Sequence, residues 1–127
     1  MKNLHRIAAV GVASLSLATA GLVLAPSASA SPADCPRSYV CVWNNPNFSG
    51  APTWKSQGNL SNMSSSNGMS IINNGTAYPG ADHIRYRVTW VGGQYVTGCL
   101  HYPPDSNSHY FTGGAMTMNY ARWGGEC

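Results

Sequence analysis

Apolar and polar residues alternate along several short segments of this chain, and no segment sustains a helical period. The clearest alternation runs from Ile84 to Trp90, where an apolar or aromatic residue stands at every second position. A period of two sends side chains to opposite faces of a strand, so one face is expected to be core and the other solvated. Gly92 and Gly93 follow as a tight hairpin turn, with residues 94–102 as the returning strand. This pattern predicts an all-β fold.

A second alternating segment carries an aromatic hairpin. Tyr39, Cys41 and Trp43 share one face of a short predicted strand, and the Asn- and Pro-containing residues that follow are typical of a turn. Phe48 is expected to fold back over this hairpin, and Gly50 to supply a backbone shape that other residues resist.

The two halves of the chain resemble each other. The spacing aromatic-x4-aromatic-x-Gly is clear in the first half and recurs with the glycine one position late in the second. The motif residues are Trp43, Phe48 and Gly50 in the first half, and Trp90, Tyr95 and Gly98 in the second. A rival echo pairs residues 47–51 with 111–113, but it keeps fewer aromatics. We expect one domain over residues 31–127, built of two units at about residues 35–75 and 84–127.

The first thirty residues predict a signal peptide. Lys2 and Arg6 form a basic start, residues 7–24 are almost wholly apolar or small, and residues 28–30 read Ala-Ser-Ala, a cleavage signature. A permanent membrane anchor is the weaker interpretation, because serine and threonine interrupt the apolar stretch and Pro26 follows it. We therefore expect a secreted, extracellular protein that leaves the membrane when the signal is removed.

Charge argues against a nucleic-acid partner. The whole chain carries a formal net charge of +3. Beyond residue 30 the basic side chains outnumber the acidic ones by only five to four, and they form no cluster. Neither nucleic acid nor an anionic membrane surface would find an electrostatic footprint here.

Four cysteines in a small exported chain predict two disulfides. Three pairings are possible. The short spacing makes Cys35–Cys41 the obvious local bridge, which leaves Cys99 with Cys127. Zinc binding by these cysteines with His101 or His109 lacks the usual ligand spacings, so we expect no metal and no cofactor.

The spacing aromatic-x4-aromatic-x-Gly, used twice beside disulfides, resembles the βγ-crystallin-like Greek key. More specifically, Cys35-Pro-x4-Cys41 followed by Val-Trp-Asn-Asn-Pro-Asn-Phe-Ser-Gly50 resembles the secreted bacterial metalloproteinase inhibitors, peptidase inhibitor family I36. The likeness covers most of residues 35–127. It implies a disulfide-stapled β-sandwich of two Greek-key units.

The same resemblance implies a function. It suggests a secreted inhibitor of extracellular proteases, most of all thermolysin-like zinc metalloproteases, that binds as a slowly cleaved substrate and acts as a monomer. The family's pattern places the reactive bond after a disulfide-bonded cysteine, which here is Cys99–Leu100. Thermolysin-like enzymes prefer an apolar residue such as Leu100 after the cut. The alternative function is a non-inhibitory binding or toxin-like module of the same fold.

Enzymatic chemistry is not expected. The chain contains none of the common nucleophile, zinc-protease or phosphate-loop motifs, and Asp82 beside His83 is best interpreted as chance adjacency. A calcium loop of the kind this fold can host has only a degenerate counterpart at residues 61–66. No carboxylate lies between Asp34 and Asp82, so that loop offers almost no negative charge to a hard cation.

Overall fold

The computed structural model describes residues 34–127. The signal peptide predicted for residues 1–30 lies outside the described residues. Within the described part, no helix has the length and apolar character needed to cross a membrane. The strands are β1 (Tyr39–Trp43), β2 (Trp54–Ser56), β3 (Leu60–Ser65), β4 (Met69–Asn74), β5 (His83–Trp90), β6 (Tyr95–Leu100), β7 (His109–Thr112) and β8 (Met116–Gly124).

The strands form two antiparallel four-stranded sheets, ordered β2-β1-β4-β7 and β3-β8-β5-β6. The first sheet contains β1, β2 and β4 from the first half of the chain and β7 from the second half. The other sheet contains β5, β6 and β8 from the second half and β3 from the first half. This exchange is the βγ-crystallin-like Greek-key arrangement, so the predicted fold class is confirmed. It also makes the sandwich one body, since neither half has a complete sheet of its own.

The core lies between the sheets. Val40, Val42 and Ile71 from one sheet face Ile84 and Val88 from the other, all fully buried. The alternation predicted for β5 is present: Ile84 and Val88 point inward while Arg85 points to solvent. The period-two pattern of the sequence therefore reports directly which strand face is buried.

The first hairpin folds as its aromatic motif predicts. Trp43 is fully buried, and its indole Nε1 donates a hydrogen bond to the Gly50 carbonyl, 2.8 Å away. The Phe48 ring packs edge-on against Trp43 at a centroid distance of 5.4 Å. Gly50 has a φ of 76°, a conformation that favours glycine. A polar hydroxyl completes the hairpin, because Ser70 Oγ bridges the Phe48 amide and the Asn45 carbonyl.

The second hairpin does not repeat this geometry, so the motif echo at Trp90, Tyr95 and Gly98 does not describe equivalent positions. The turn at Gly92 and Gly93 is too short to fold an aromatic back over the strands, as the hydrogen bond from the Gly93 amide to the Trp90 carbonyl shows. Tyr95 is 60% exposed, with the Arg87 guanidinium 4.1 Å above its ring. Trp90 Nε1 instead donates to the Gly113 carbonyl in the loop between β7 and β8.

Gly98 has a different structural role from Gly50. It lies opposite Tyr86 in the β5–β6 pair, and a Cβ at position 98 would overlap the Tyr86 ring. That ring covers the glycine on one side and stacks on Tyr110 from the opposite sheet, at a centroid distance of 4.9 Å. An aromatic side chain laid across a strand glycine compensates for its missing side chain. Gly98 thus fixes the position of an aromatic pair that joins the two sheets.

We predict that Gly98→Ala destabilises the protein by about 1–3 kcal/mol, because the new methyl group must displace the Tyr86 ring. Gly113→Ala is the matched control: a Cβ there meets no atom within 4 Å, and we expect a change within about 0.5 kcal/mol. Urea unfolding followed by tryptophan fluorescence measures both. Equal stabilities of the two variants would contradict the packing role of Gly98.

Tyr86 also predicts sensitivity to alkali. Burial, with the nearby Tyr110, raises the pKa of Tyr86 to about 12 from an ordinary value of 10.0. The folded state therefore disfavours the phenolate, so the stability that Tyr86 contributes is complete below pH 10 and is lost as the pH rises toward 12. We expect the melting temperature of the wild type to fall more steeply across this range than that of Tyr86→Phe. Parallel curves for the two proteins would refute this assignment.

Candidate functional site

The predicted reactive bond lies at the end of an edge strand. β6 lies at one edge of its sheet, with β3 at the other, and pairs only with β5. Cys99 is partly buried and forms a disulfide with Cys127, while the other bridge joins Cys35 and Cys41, so both expected pairings are present. Leu100 is only 1% exposed and belongs to the main core. Its carbonyl accepts a hydrogen bond from Asn73 Nδ2 at 3.1 Å.

The side chains of β6 alternate between core and solvent. Leu100 points into the sandwich, whereas Tyr95 and Thr97 are exposed on the other face. A protease that recognised Leu100 in a specificity pocket would first have to draw it out of the core. The folded structure therefore presents the backbone edge of β6, and not the leucine, to an approaching protein.

An ordered loop follows the strand. Residues 101–108 fold back along the end of β6, where the His101 amide donates to the Asn107 carbonyl at 3.0 Å. Asp105 accepts a hydrogen bond from the Asn107 amide at 2.7 Å. Pro104 and Asp105 are exposed at the tip, and the Pro103–Pro104 peptide bond is cis. The accessible chain beyond the predicted bond is thus held by its own hydrogen bonds.

A buried acid–imidazole pair lies next to this loop. Asp82 and His83 are 3% and 1% exposed, and Asp82 Oδ1 is 2.6 Å from His83 Nδ1. Burial by itself would raise the pKa of Asp82, but hydrogen bonds from the Tyr78 amide and from His83 outweigh it and hold that pKa below its ordinary value. The sequence offered these neighbours no role beyond an accidental likeness to part of a catalytic triad, and His83 bonds to Asp82 and His101 and not to a serine. Asp82 and His83 are a hydrogen-bonded unit.

Two more side chains approach the second ring nitrogen of His83, Nε2. Its Nε2 lies 3.1 Å from His101 Nδ1 and 3.4 Å from Glu126 Oε2. These residues line a pocket of about 360 Å³ together with Tyr102, Pro104 and Asp105. Cys127 lies nearby, but its sulfur is committed to the disulfide.

Sequence reasoning did not bring these groups together. His101 stands eighteen positions after His83 (101 − 83 = 18), and Glu126 a further 25 positions on (126 − 101 = 25), so no local spacing connects them. The usable signal was the Cys99–Cys127 bridge, which brings the residue before Cys127 close to the residues after Cys99. The Arg85 guanidinium also holds Glu126 in place, because it donates a hydrogen bond to the Glu126 backbone carbonyl at 2.7 Å.

The degenerate calcium loop at residues 61–66 is mostly strand. Residues 61–65 belong to β3, and the hydroxyls of Ser64 and Ser65 make hydrogen bonds within the protein. Ser64 Oγ lies 2.9 Å from Thr117 Oγ1 on β8, and Ser65 Oγ donates to the Asn44 carbonyl. These contacts make Ser64 and Ser65 links between neighbouring elements.

Comparison with known proteins identifies the family. The model of peptidase inhibitor family I36 matches residues 28–101, more than half of the 127-residue chain. The chain therefore belongs to this family, as its first motif suggested, and this membership implies a peptidase inhibitor and not an enzyme. No curated protein and no solved structure matches the chain.

The Cys99–Cys127 disulfide, beside the predicted reactive bond, is expected to stabilise the fold chiefly by lowering the conformational entropy of the unfolded chain. Cys127 is exposed and Cys99 only partly buried, so replacing both by alanine leaves little cavity. Closing a loop of sequence separation 28 is worth about 3.5 kcal/mol in the chain-entropy model. We predict that Cys99→Ala/Cys127→Ala lowers the free energy of unfolding by about this amount. An unchanged unfolding midpoint in urea would contradict this account.

Proposed function

We propose that this protein is a secreted inhibitor of thermolysin-like zinc metalloproteases that offers the edge of β6 and the 101–108 loop to the protease. The observation that carries the proposal is the family membership, together with an extended edge strand tied by a disulfide. A protease holds a substrate as an extended chain, and an exposed sheet edge already has that shape.

Rigidity supports binding. The Tyr95 ring is held under Arg87, Cys99 is bridged to Cys127, and the following loop is closed by Asn107. A segment that is already ordered loses little conformational entropy when it is bound. The same contacts would therefore favour affinity for a protease cleft.

The Cys99–Leu100 bond remains our candidate for the reactive bond, with one condition imposed by burial. Leu100 must leave the core before its side chain can occupy a specificity pocket, at a cost of roughly 2–3 kcal/mol for the lost burial. The cleavage-competent state is then rare, which would make cleavage slow.

Cleavage at this bond would not separate the fragments. Residues 100–127 contain β8, which pairs with both β3 and β5, and Cys127 remains bonded to Cys99. The new chain ends would stay close together, a geometry that favours rejoining over release.

The burial of Leu100 also favours the alternative, a non-inhibitory binding module of the same fold that uses another surface. The two functions differ in whether protease activity falls on titration. Leu100→Asp is a poor test, because a carboxylate placed in the core would unfold the protein irrespective of function.

We predict that titration of a thermolysin-like enzyme abolishes its activity at micromolar inhibitor or below. Tyr95→Ala should raise the inhibition constant at least about fivefold, as expected for an exposed aromatic within the proposed interface. Phe111→Ala is the matched control, since Phe111 is 58% exposed against 60% for Tyr95 but lies on β7, at the edge of the other sheet. It should leave the inhibition constant unchanged.

The product of prolonged incubation tests the reactive bond. We expect a new amino terminus at Leu100 and fragments that separate on a gel only after reduction. Full activity of metallo-, serine and cysteine proteases in the presence of micromolar protein would refute the inhibitor. Inhibition with cleavage at a different bond would refute only the placement at Cys99–Leu100.

A further inference from the structure

We propose that His83, His101 and Glu126 form a binding site for a divalent transition-metal cation of the zinc class. The three side chains come from the start of β5, the residue after β6 and the carboxyl end of the chain, and they meet at one pocket. The proposal goes beyond protease inhibition and does not depend on it.

His83 is oriented as a metal-ligating histidine. Its Nδ1 lies 2.6 Å from the ionised Asp82, whose second oxygen accepts the Tyr78 amide. With the Nδ1 proton donated to this carboxylate, Nε2 carries the lone pair and faces the pocket. A carboxylate behind a histidine fixes the tautomer and raises the basicity of the ligating nitrogen.

Two of the separations between ligand atoms suit a shared ion, and both involve His83 Nε2. His83 Nε2 is 3.1 Å from His101 Nδ1 and 3.4 Å from Glu126 Oε2. With metal–ligand bonds of about 2.05 Å, these separations correspond to angles of roughly 100° and 110° at the metal, close to tetrahedral. His83 and His101 are already in place, and the Glu126 side chain, which is 80% exposed, must rotate toward His101 to complete the set.

A fourth position is also available. Asp105 Oδ2 lies 3.8 Å from His101 Nδ1, and the pocket of about 360 Å³ has room for a water molecule in its place. Two imidazoles with one or two carboxylates suit zinc and its neighbours better than calcium or magnesium, which prefer oxygen ligands alone.

The metal-free arrangement is compatible with loading. Without a cation, the Nδ1 proton of His101 is donated to His83 Nε2, which joins Asp82, His83 and His101 in one hydrogen-bonded chain. When the cation binds, the proton of His101 resides on its Nε2, and both lone pairs point to the metal. No net proton is lost by the two imidazoles.

The protein holds the third ligand in place. The Arg85 guanidinium bonds the Glu126 carbonyl at 2.7 Å, and the neighbouring Cys127 is bridged to Cys99. A hydrogen-bonded relay from Asp82 to His101 would serve to position the loop without any metal, but it makes no use of the Glu126 carboxylate. Zinc binding and a relay alone therefore differ in what happens when Glu126 is changed.

The test is a zinc titration of the untagged protein after removal of metal with a chelator, with no protease present. Calorimetry should show one zinc ion per chain, and metal analysis after dialysis should confirm the stoichiometry. X-ray absorption of the zinc-loaded protein should show two imidazole nitrogens with oxygen in the remaining positions. Zinc should also raise the melting temperature.

Variants separate this site from adventitious surface binding. His101→Ala and Glu126→Gln should each lower zinc affinity at least about tenfold. Both side chains are outside the core, with exposures of 34% and 80%, so the fold should survive, and circular dichroism without zinc checks this. His109→Ala, which removes an exposed histidine on β7, is the matched control and should bind zinc as the wild type does.

The proposal is overturned if the stoichiometry is far below one, or if His101→Ala binds zinc as the wild type does. It is also overturned if His109→Ala loses as much affinity as His101→Ala. Unchanged zinc affinity in Glu126→Gln would show that the Glu126 carboxylate is not a ligand, and it would overturn the three-residue site proposed here. None of these results bears on whether the protein inhibits a protease.

Discussion

The pairing of β8 with β3 on one side and β5 on the other holds this structure together. Each half of the chain contributes its third strand to the sheet formed mainly by the other half. A half taken alone would therefore have an incomplete sheet with an exposed apolar face. Burial of such a face against a second layer is the main stabilising contribution in a domain of this kind. The Tyr86–Tyr110 stack and the Leu100 contacts follow from this arrangement, because both connect residues far apart in sequence.

The same arrangement leaves β6 at an edge of its sheet. Its backbone is therefore accessible to a protease, although the Leu100 side chain is buried. An edge strand offers unpaired backbone groups to another chain, a feature that proteins otherwise blunt or cover. Here Asn107 covers only the end of the strand, near Cys99. Rigidity favours recognition by a protease, while the burial of Leu100 opposes cleavage. A segment with both properties binds more readily than it reacts.

The carboxyl end of the chain is part of the structural framework. Arg85, the Cys99–Cys127 bridge and the 101–108 loop bring the last residues against the start of β5. Asp82 and His83 are buried there as a hydrogen-bonded pair, because a polar group in a core must find a partner. The result is one pocket in which imidazole and carboxylate groups from three segments face one another.

Local features of the sequence were sufficient to predict the all-β class, the buried face of β5 and the folded aromatic hairpin around Trp43, Phe48 and Gly50. Each depends on neighbours within a few residues: alternation, a turn, and a glycine with positive φ. The apparent echo at Tyr95 misled for the same reason, since spacing alone does not show that a two-glycine turn is too short to fold the aromatic back. The local Cys35–Cys41 bridge was readable from spacing, and elimination then paired Cys99 with Cys127.

Tertiary structure alone decided what lies next to what. The burial of Leu100 depends on how two sheets face each other, and the meeting of His83, His101 and Glu126 depends on a disulfide, a loop and a chain end arriving at one place. Asp82 and His83 were adjacent in the sequence, yet only burial makes their hydrogen bond necessary. Periodicity determines which face of a strand is apolar, whereas the neighbours of that face are fixed by strand exchange between segments too distant for any local pattern to record.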